Sequence, residues 1–183
     1  MVSVRRFKTE VARPGVIFDR DGVLNVDRGY VHRLEDLAWI PGAAPAIARL
    51  NRLGLPVLVA TNQSGVARGL YSEADVDAFH AGMQAQLADA GAHIDQFYSC
   101  PFHADAVIDA FRHPDHPDRK PNPGMILRGM AQWRLDPART LVIGDKASDI
   151  EAAARARAVG VLYPGGDLEA FVLGQLAALN LSA

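Results

Sequence analysis

Short runs of aliphatic and β-branched residues recur along the chain, each closed by turn-forming residues, and longer stretches with apolar positions every three or four residues lie between them. Residues 15–18, 57–60, 141–143 and 159–162 predict strands, with 93–98 as a further one. Their near-continuous apolar character suits strands covered on both faces. Ser72 with Asp75 three residues on predicts a capped helix start, after which Val76, Phe79, Met83 and Leu87 share a face until Gly91. Further helices are predicted over 43–53, closed by Gly54; over 123–133, with Asn122 as cap; over 148–158; and over 168–179. This alternation predicts an α/β fold, a parallel sheet flanked by helices. Two segments break the rhythm, 26–41 and 99–121, the second rich in proline and histidine. Neither is long enough to form a separate lid, so the expectation is one domain over 1–183 with an open site and no large cap.

Composition narrows the function classes. The 183 residues are 49% hydrophobic, enough for one buried core. Nineteen basic against 21 acidic residues leave a net charge of −2, without the basic field that nucleic acid or an anionic membrane attracts. Cys100 is the only cysteine, which excludes an internal disulfide framework and fits the reducing cytoplasm. Residues 1–10 carry Arg5, Arg6 and Lys8 but no apolar run of the signal-peptide kind, and no later stretch has the length of a membrane span.

The chemistry concentrates at predicted strand ends, where open parallel sheets place their ligands. Asp19-Arg20-Asp21-Gly22 leaves the first strand, so its two carboxylates lie on one side by the period of two, and Gly22 frees the backbone to turn. Taken alone, paired acids before a glycine are more often a turn or a solvated loop. Thr61-Asn62-Gln63-Ser64-Gly65 follows the second strand and offers a hydroxyl, amides and flexible backbone, either an anion cradle or an ordinary turn. Asp145, after the third, supplies hard oxygen for Mg²⁺ together with Asp19, or caps a helix, a role better suited to Ser148 or Asp149. Arg119-Lys120-Pro121 sets two cations before the 123–133 helix start, where positive charge opposes the helix dipole unless an anion sits there.

Taken in order, Asp19-x-Asp21-Gly22, Thr61-Asn62, Lys120 and Gly144-Asp145-x-x-x-Asp149 resemble the four motifs of the haloacid dehalogenase superfamily, whose fold is Rossmann-like. The extended strings Asp19-Arg20-Asp21-Gly22-Val23-Leu24-Asn25, Thr61-Asn62-Gln63-Ser64-Gly65-Val66-Ala67-Arg68-Gly69, Arg119-Lys120-Pro121-x-Pro123-Gly124-Met125 and Gly144-Asp145-Lys146 are similar to those of the heptose-bisphosphate phosphatases, with the histidinol-phosphate phosphatases close by. The resemblance implies an Mg²⁺-dependent phosphatase acting as a monomer on a small phosphorylated sugar, with heptose supply for cell-envelope polysaccharide as its setting. It implies Asp19 as nucleophile and Asp21 as acid and then base, with Thr61 and Lys120 binding the phosphoryl oxygens. Mg²⁺ would be held by Asp19, the Asp21 backbone carbonyl and Asp145. Asn25, Asn62, Gln63, Arg68 and Arg119 join Thr61 and Lys120 as substrate contacts, arginine suiting bidentate phosphate recognition.

The chain departs from these relatives in one loop. They often hold a structural zinc between a Cys-x-His pair and a later Cys-x-Cys pair, whereas here the loop reads Cys100-Pro101-Phe102-His103 and His116-Pro117-Asp118. Cys100, His103, His116 and Asp118, with His113 nearby, are the ligands an altered Zn²⁺ site would use. The preferred reading is a loop without zinc, stiffened by Pro101, Pro114, Pro117 and Pro121. A receiver-like phosphoacceptor domain shares the acidic constellation but lacks a carboxylate two residues after the acceptor, and Asp21 argues against it.

Overall fold

The computed structural model describes residues 12–181. The expectations placed on the first residues, and the outer limits of the 1–183 domain, lie outside the described residues. Five parallel strands, β1 (Arg13–Phe18), β2 (Val57–Asn62), β3 (Gln96–Cys100), β4 (Leu135–Gly144) and β5 (Val159–Leu162), form one sheet in the order β3-β2-β1-β4-β5. Among the described residues six α-helices connect and cover them: α1 (Ala43–Arg52), α2 (Ser64–Ala67), α3 (Glu73–Asp89), α4 (Gly124–Trp133), α5 (Ala147–Arg155) and α6 (Leu168–Ala178). No helix among the described residues is long and apolar enough to cross a membrane.

Because side chains alternate across a strand, Val16 and Phe18 of β1 face one layer and Ile17 the other. Val16 and Phe18 pack with Ile47 and Leu50 of α1, Phe79 and Met83 of α3, and Val172 and Leu176 of α6. Ile17 packs with Leu58, Val142, Met125 and Ile126 of α4 and Ala152 and Ala153 of α5. Both faces are therefore buried, which is why the strand sequences read as apolar runs. The capping box of α3 forms as the sequence predicts: Ser72 Oγ accepts from Asp75 N, and Asp75 Oδ2 accepts from Ser72 N.

Several boundaries differ from the expectation. The β3 strand lies at 96–100 rather than 93–98, since its residues pair in register with β2 through Asn62 and Cys100. The β4 strand begins at Leu135 and α5 at Ala147. Asn122 does not cap α4. Its amide donates to the His116 carbonyl and its Oδ1 accepts from Arg155, so it ties the preceding loop to α5. The short helix α2 stands where the sequence pattern suggests a turn or cradle, a turn and a single helical turn sharing the same composition.

Register decides the geometry of the site. Phe18 pairs with Val59 on one side and Ile143 on the other, so Asp19, Thr61 and Asp145 emerge within a residue or two of one another at the carboxyl end of the sheet.

Candidate active site

Asp19 continues the ladder by one bond, its N–H donating to the Ile143 carbonyl at 2.8 Å, and the chain then turns through Leu24 N to Arg20 O and Gly22 N to Asn25 O. Gly22 makes that turn at φ +88°, and a Cβ there would sit 2.2 Å from Asp145 Oδ2. Glycine is thus required twice, for the left-handed backbone and for the close approach of Asp145 at the end of β4.

Lys120, from the 99–121 segment, reaches into this end of the sheet. Its Nζ lies 3.0 Å from Asp19 Oδ1 and 2.6 Å from Asp149 Oδ1 and donates to the Ala60 carbonyl at 2.7 Å. All three side chains are buried. Burial alone would lower the Lys120 ammonium, but the two flanking carboxylates outweigh it and hold the lysine above its ordinary value. Burial pushes Asp19 up to about 6, Lys120 pulling down and Asp149 pushing further up. Asp149, a helix-cap candidate and the last position of the fourth motif, serves both ends: Oδ2 accepts from Lys146 N at 3.0 Å while Oδ1 meets Lys120.

Asp19, Asp145 and Asp149 each offer an oxygen within 4.8 Å of the others, the one such group of His, Cys, Asp or Glu ligands among the described residues. Asp145 Oδ1 is buried without a hydrogen-bond partner, and burial raises the carboxyl above its usual range. An unpaired buried oxygen beside another carboxylate is what a hard cation satisfies, so the residues present fit Mg²⁺.

Asp19, Lys120 and Asp149 line a cavity of about 560 Å³, while Asp145 lies outside the lining, next to Asp19 and Asp149. The site candidates Asp19, Asp21, Thr61, Asn62, Gln63, Arg119 and Lys120 line it, joined by Asp27, Tyr30 and Tyr71 and by Lys146 and Ser148, for which the sequence suggests no substrate role. Asp27 and Tyr30 come from the irregular 26–41 segment, whose length was the signal. Lys146 Nζ pairs with Asp27 Oδ2 at 3.1 Å. Tyr30 holds φ at +55°, unusual for a residue with a bulky side chain.

Several proposed substrate contacts are occupied in other ways. Asn25 is fully buried below Asp21, donating to Asp21 Oδ1 at 2.9 Å, and does not line the cavity. Asn62 grips both backbone groups of Lys120, accepting from its N–H at 3.1 Å and donating to its carbonyl at 3.0 Å. Gln63 donates to Thr61 Oγ1 and Asp21 Oδ2 and accepts from Tyr71 Oη. Arg119 donates to the Phe102 carbonyl at the cavity wall. Arg68 lies outside the lining, its Nε buried without a partner.

The four zinc-ligand candidates do not gather. The position that completes the Cys-x-His pair is Phe102, whose ring stacks on His116 at 3.9 Å and 5°. His116 Nδ1 accepts from Asp118 N and lies 3.8 Å from Cys100 Sγ. His103 Nδ1 accepts from Asp105 N, and Asp118 pairs with Arg128 at 2.7 Å.

A buried aspartate at a strand end, a second two residues on, a lysine counter-ion and a cation-fitting carboxylate pair define a phosphoryl-transfer hydrolase. The model of the haloacid dehalogenase-like hydrolases matches residues 25–157, and the chain belongs to that family. It is 46% identical over 172 residues to a Rhodopseudomonas palustris protein named D-glycero-beta-D-manno-heptose-1,7-bisphosphate 7-phosphatase, covering 93% of this chain and 94% of the other. A Thermosynechococcus vestitus protein named D-glycero-D-manno-heptose-1,7-bisphosphate 7-phosphatase is 45% identical, covering 84% and 80%. Among solved structures, D,D-heptose 1,7-bisphosphate phosphatase from B. bronchiseptica, complexed with magnesium and phosphate, superposes with a TM-score of 0.73 at 35% identity, covering 88% and 86%. A protein from Mesorhizobium loti described as HAD-like gives 0.83 at 34% identity, covering 100% and 92%.

Proposed function

We propose that this chain removes the C7 phosphate of D-glycero-D-manno-heptose 1,7-bisphosphate through an aspartyl-phosphate on Asp19. The observation that carries the chemistry is the Asp19 carboxylate, buried at the cavity floor against Lys120 with Asp21 lining the same cavity. The near full-length relatives named for this reaction carry the choice of substrate.

Lys120 and the Thr61 hydroxyl bind the phosphoryl oxygens, and Asn62 and Gln63 hold these two groups in place. An Asp19 oxygen attacks phosphorus as the bond to the sugar oxygen breaks, and Asp21 gives that oxygen its proton. Asp21, now ionised, takes a proton from the water that attacks the aspartyl-phosphate, releasing phosphate and restoring both groups. Mg²⁺ would be held by Asp19, Asp145 and the Asp21 backbone carbonyl, and would offset repulsion between the carboxylate and the phosphate dianion. Arg119 and Lys146 supply positive charge on the cavity wall for the rest of the anionic substrate. The working unit is a monomer in the cytoplasm.

The test is phosphate release from the heptose bisphosphate and from histidinol phosphate, with Asp19→Asn as control. The bisphosphate is the better substrate, and Asp19→Asn folds but loses about 10³-fold or more in rate. Faster turnover of histidinol phosphate overturns the substrate, and an active Asp19→Asn overturns the nucleophile.

A further inference from the structure

The side chain between the two aspartates points the opposite way. Arg20 is fully buried, and its guanidinium is engaged on every side. Nε and Nη2 clasp Asp21 Oδ1 at 3.2 and 3.1 Å, and Nη2 also reaches Asp21 Oδ2 at 2.9 Å. Nη2 donates to the Val31 carbonyl at 2.6 Å, Nη1 meets His80 Nε2 at 3.3 Å, and Cζ lies 4.6 Å from the centre of the Phe79 ring. His80, on α3, is itself buried and stacks on Phe97 of β3 at 4.2 Å and 14°.

A guanidinium only donates. His80 Nε2 must therefore accept, which places the imidazole proton on Nδ1 and leaves the ring neutral. Burial and the Arg20 charge push the His80 pKa down to about 3, so the neutral form persists through the neutral range. The brace is then one-directional: sheet to Phe97, Phe97 to His80, His80 to Arg20, Arg20 to Asp21.

Asp21 receives this clasp unequally. Oδ1 faces the interior, where buried Asn25 adds a second donor residue, whereas Oδ2 faces Gln63, which lines the cavity. A bidentate clasp fixes both side-chain torsions of a carboxylate, which one ammonium cannot do. We propose that Arg20, braced by His80, is the positioning residue for Asp21, holding the carboxylate so that Oδ2 is the oxygen that exchanges the proton with the leaving group. The inference rests on the reading of Asp21 as the proton donor given above.

The experiment compares kcat/KM for a sugar bisphosphate with kcat/KM for p-nitrophenyl phosphate, whose phenolate departs without a proton. This ratio reports steps up to phosphoryl transfer, so the shared hydrolysis of the aspartyl-phosphate drops out. Asp21→Asn loses about 10²- to 10⁴-fold on the sugar ester and little on the nitrophenyl ester. Arg20→Lys shows the same selectivity at about 10- to 100-fold, the scale of a misplaced catalytic group. Added to Asp21→Asn it causes no further loss, because both act on one proton transfer.

His80→Phe keeps the ring on Phe97 but removes the acceptor, and gives a smaller loss of the same selective kind. His80→Gln, with an amide oxygen for Arg20, restores the sugar ester. This pair decides the matter where Arg20→Lys fails to fold. Equal loss on both esters, or additivity of Arg20→Lys with Asp21→Asn, overturns the positioning role. An Asp21→Asn enzyme that keeps its sugar-ester rate overturns instead the role given to Asp21 itself.

Discussion

Lys120→Met tests whether the site is held together by a desolvated ion-pair triad. The lysine's two carboxylate contacts, at 2.6 and 3.0 Å, correspond to gross attractions of about 6.4 and 5.5 kcal/mol at an effective dielectric constant of about 20. Most of this is spent on desolvating three side chains that are at most 9% exposed. Removing the cation alone leaves Asp19 and Asp149 buried and uncompensated, and the Ala60 carbonyl without its donor, a change that destabilises by about 3–5 kcal/mol. The measurement is urea unfolding at neutral pH in chelator, with an unchanged m-value showing that the unfolded state is the same. Lys120→Met/Asp149→Leu recovers part of the loss, because the second uncompensated charge goes with the first. A loss below about 1 kcal/mol would mean that water reaches the triad and that Lys120 behaves as a surface ion pair.

His80 supplies a pH signature. Its folded pKa of about 3 lies below the ordinary 6.5, so the unfolded chain binds more protons between those values and stability falls as pH drops below 6.5. At pH 5 this amounts to about 2 kcal/mol. The difference in unfolding free energy between pH 7 and pH 5 therefore shrinks by about that amount in His80→Phe, in which Arg20 and the nearby Asp77 and Asp95 remain. An unchanged difference would show that the ring is solvated. Gly22→Ala, forced onto Asp145 at a left-handed φ, destabilises by about 1–3 kcal/mol and raises the Mg²⁺ concentration for half-maximal activity. Retention of wild-type stability and Mg²⁺ response would refute the close approach. Dialysis against chelator followed by emission spectrometry finds no stoichiometric zinc, since the Phe102–His116 stack takes the place of a ligand pair; one tightly held zinc per chain would overturn this.

The sequence by itself determined the sheet, most helices and which polar groups stand at the strand ends. Buried parallel strands are apolar throughout, and such sheets place their ligands beyond the carboxyl ends, so the polar residues Asp19, Thr61 and Asp145 stand out where those runs end. The Ser72 cap was legible because its partner Asp75 lies three residues away. What the tertiary structure decided depends on partners far apart in the chain. Asp149 reads as a cap until Lys120 reaches it, Asn62 as a substrate contact until it closes on the Lys120 backbone, and Arg20 as the variable residue of a motif until His80, 60 positions away, is found behind it. Local pattern records what one residue's neighbours in sequence require. The direction in which a buried charge turns, and which group meets it there, is set by packing between elements and appears only once they are assembled.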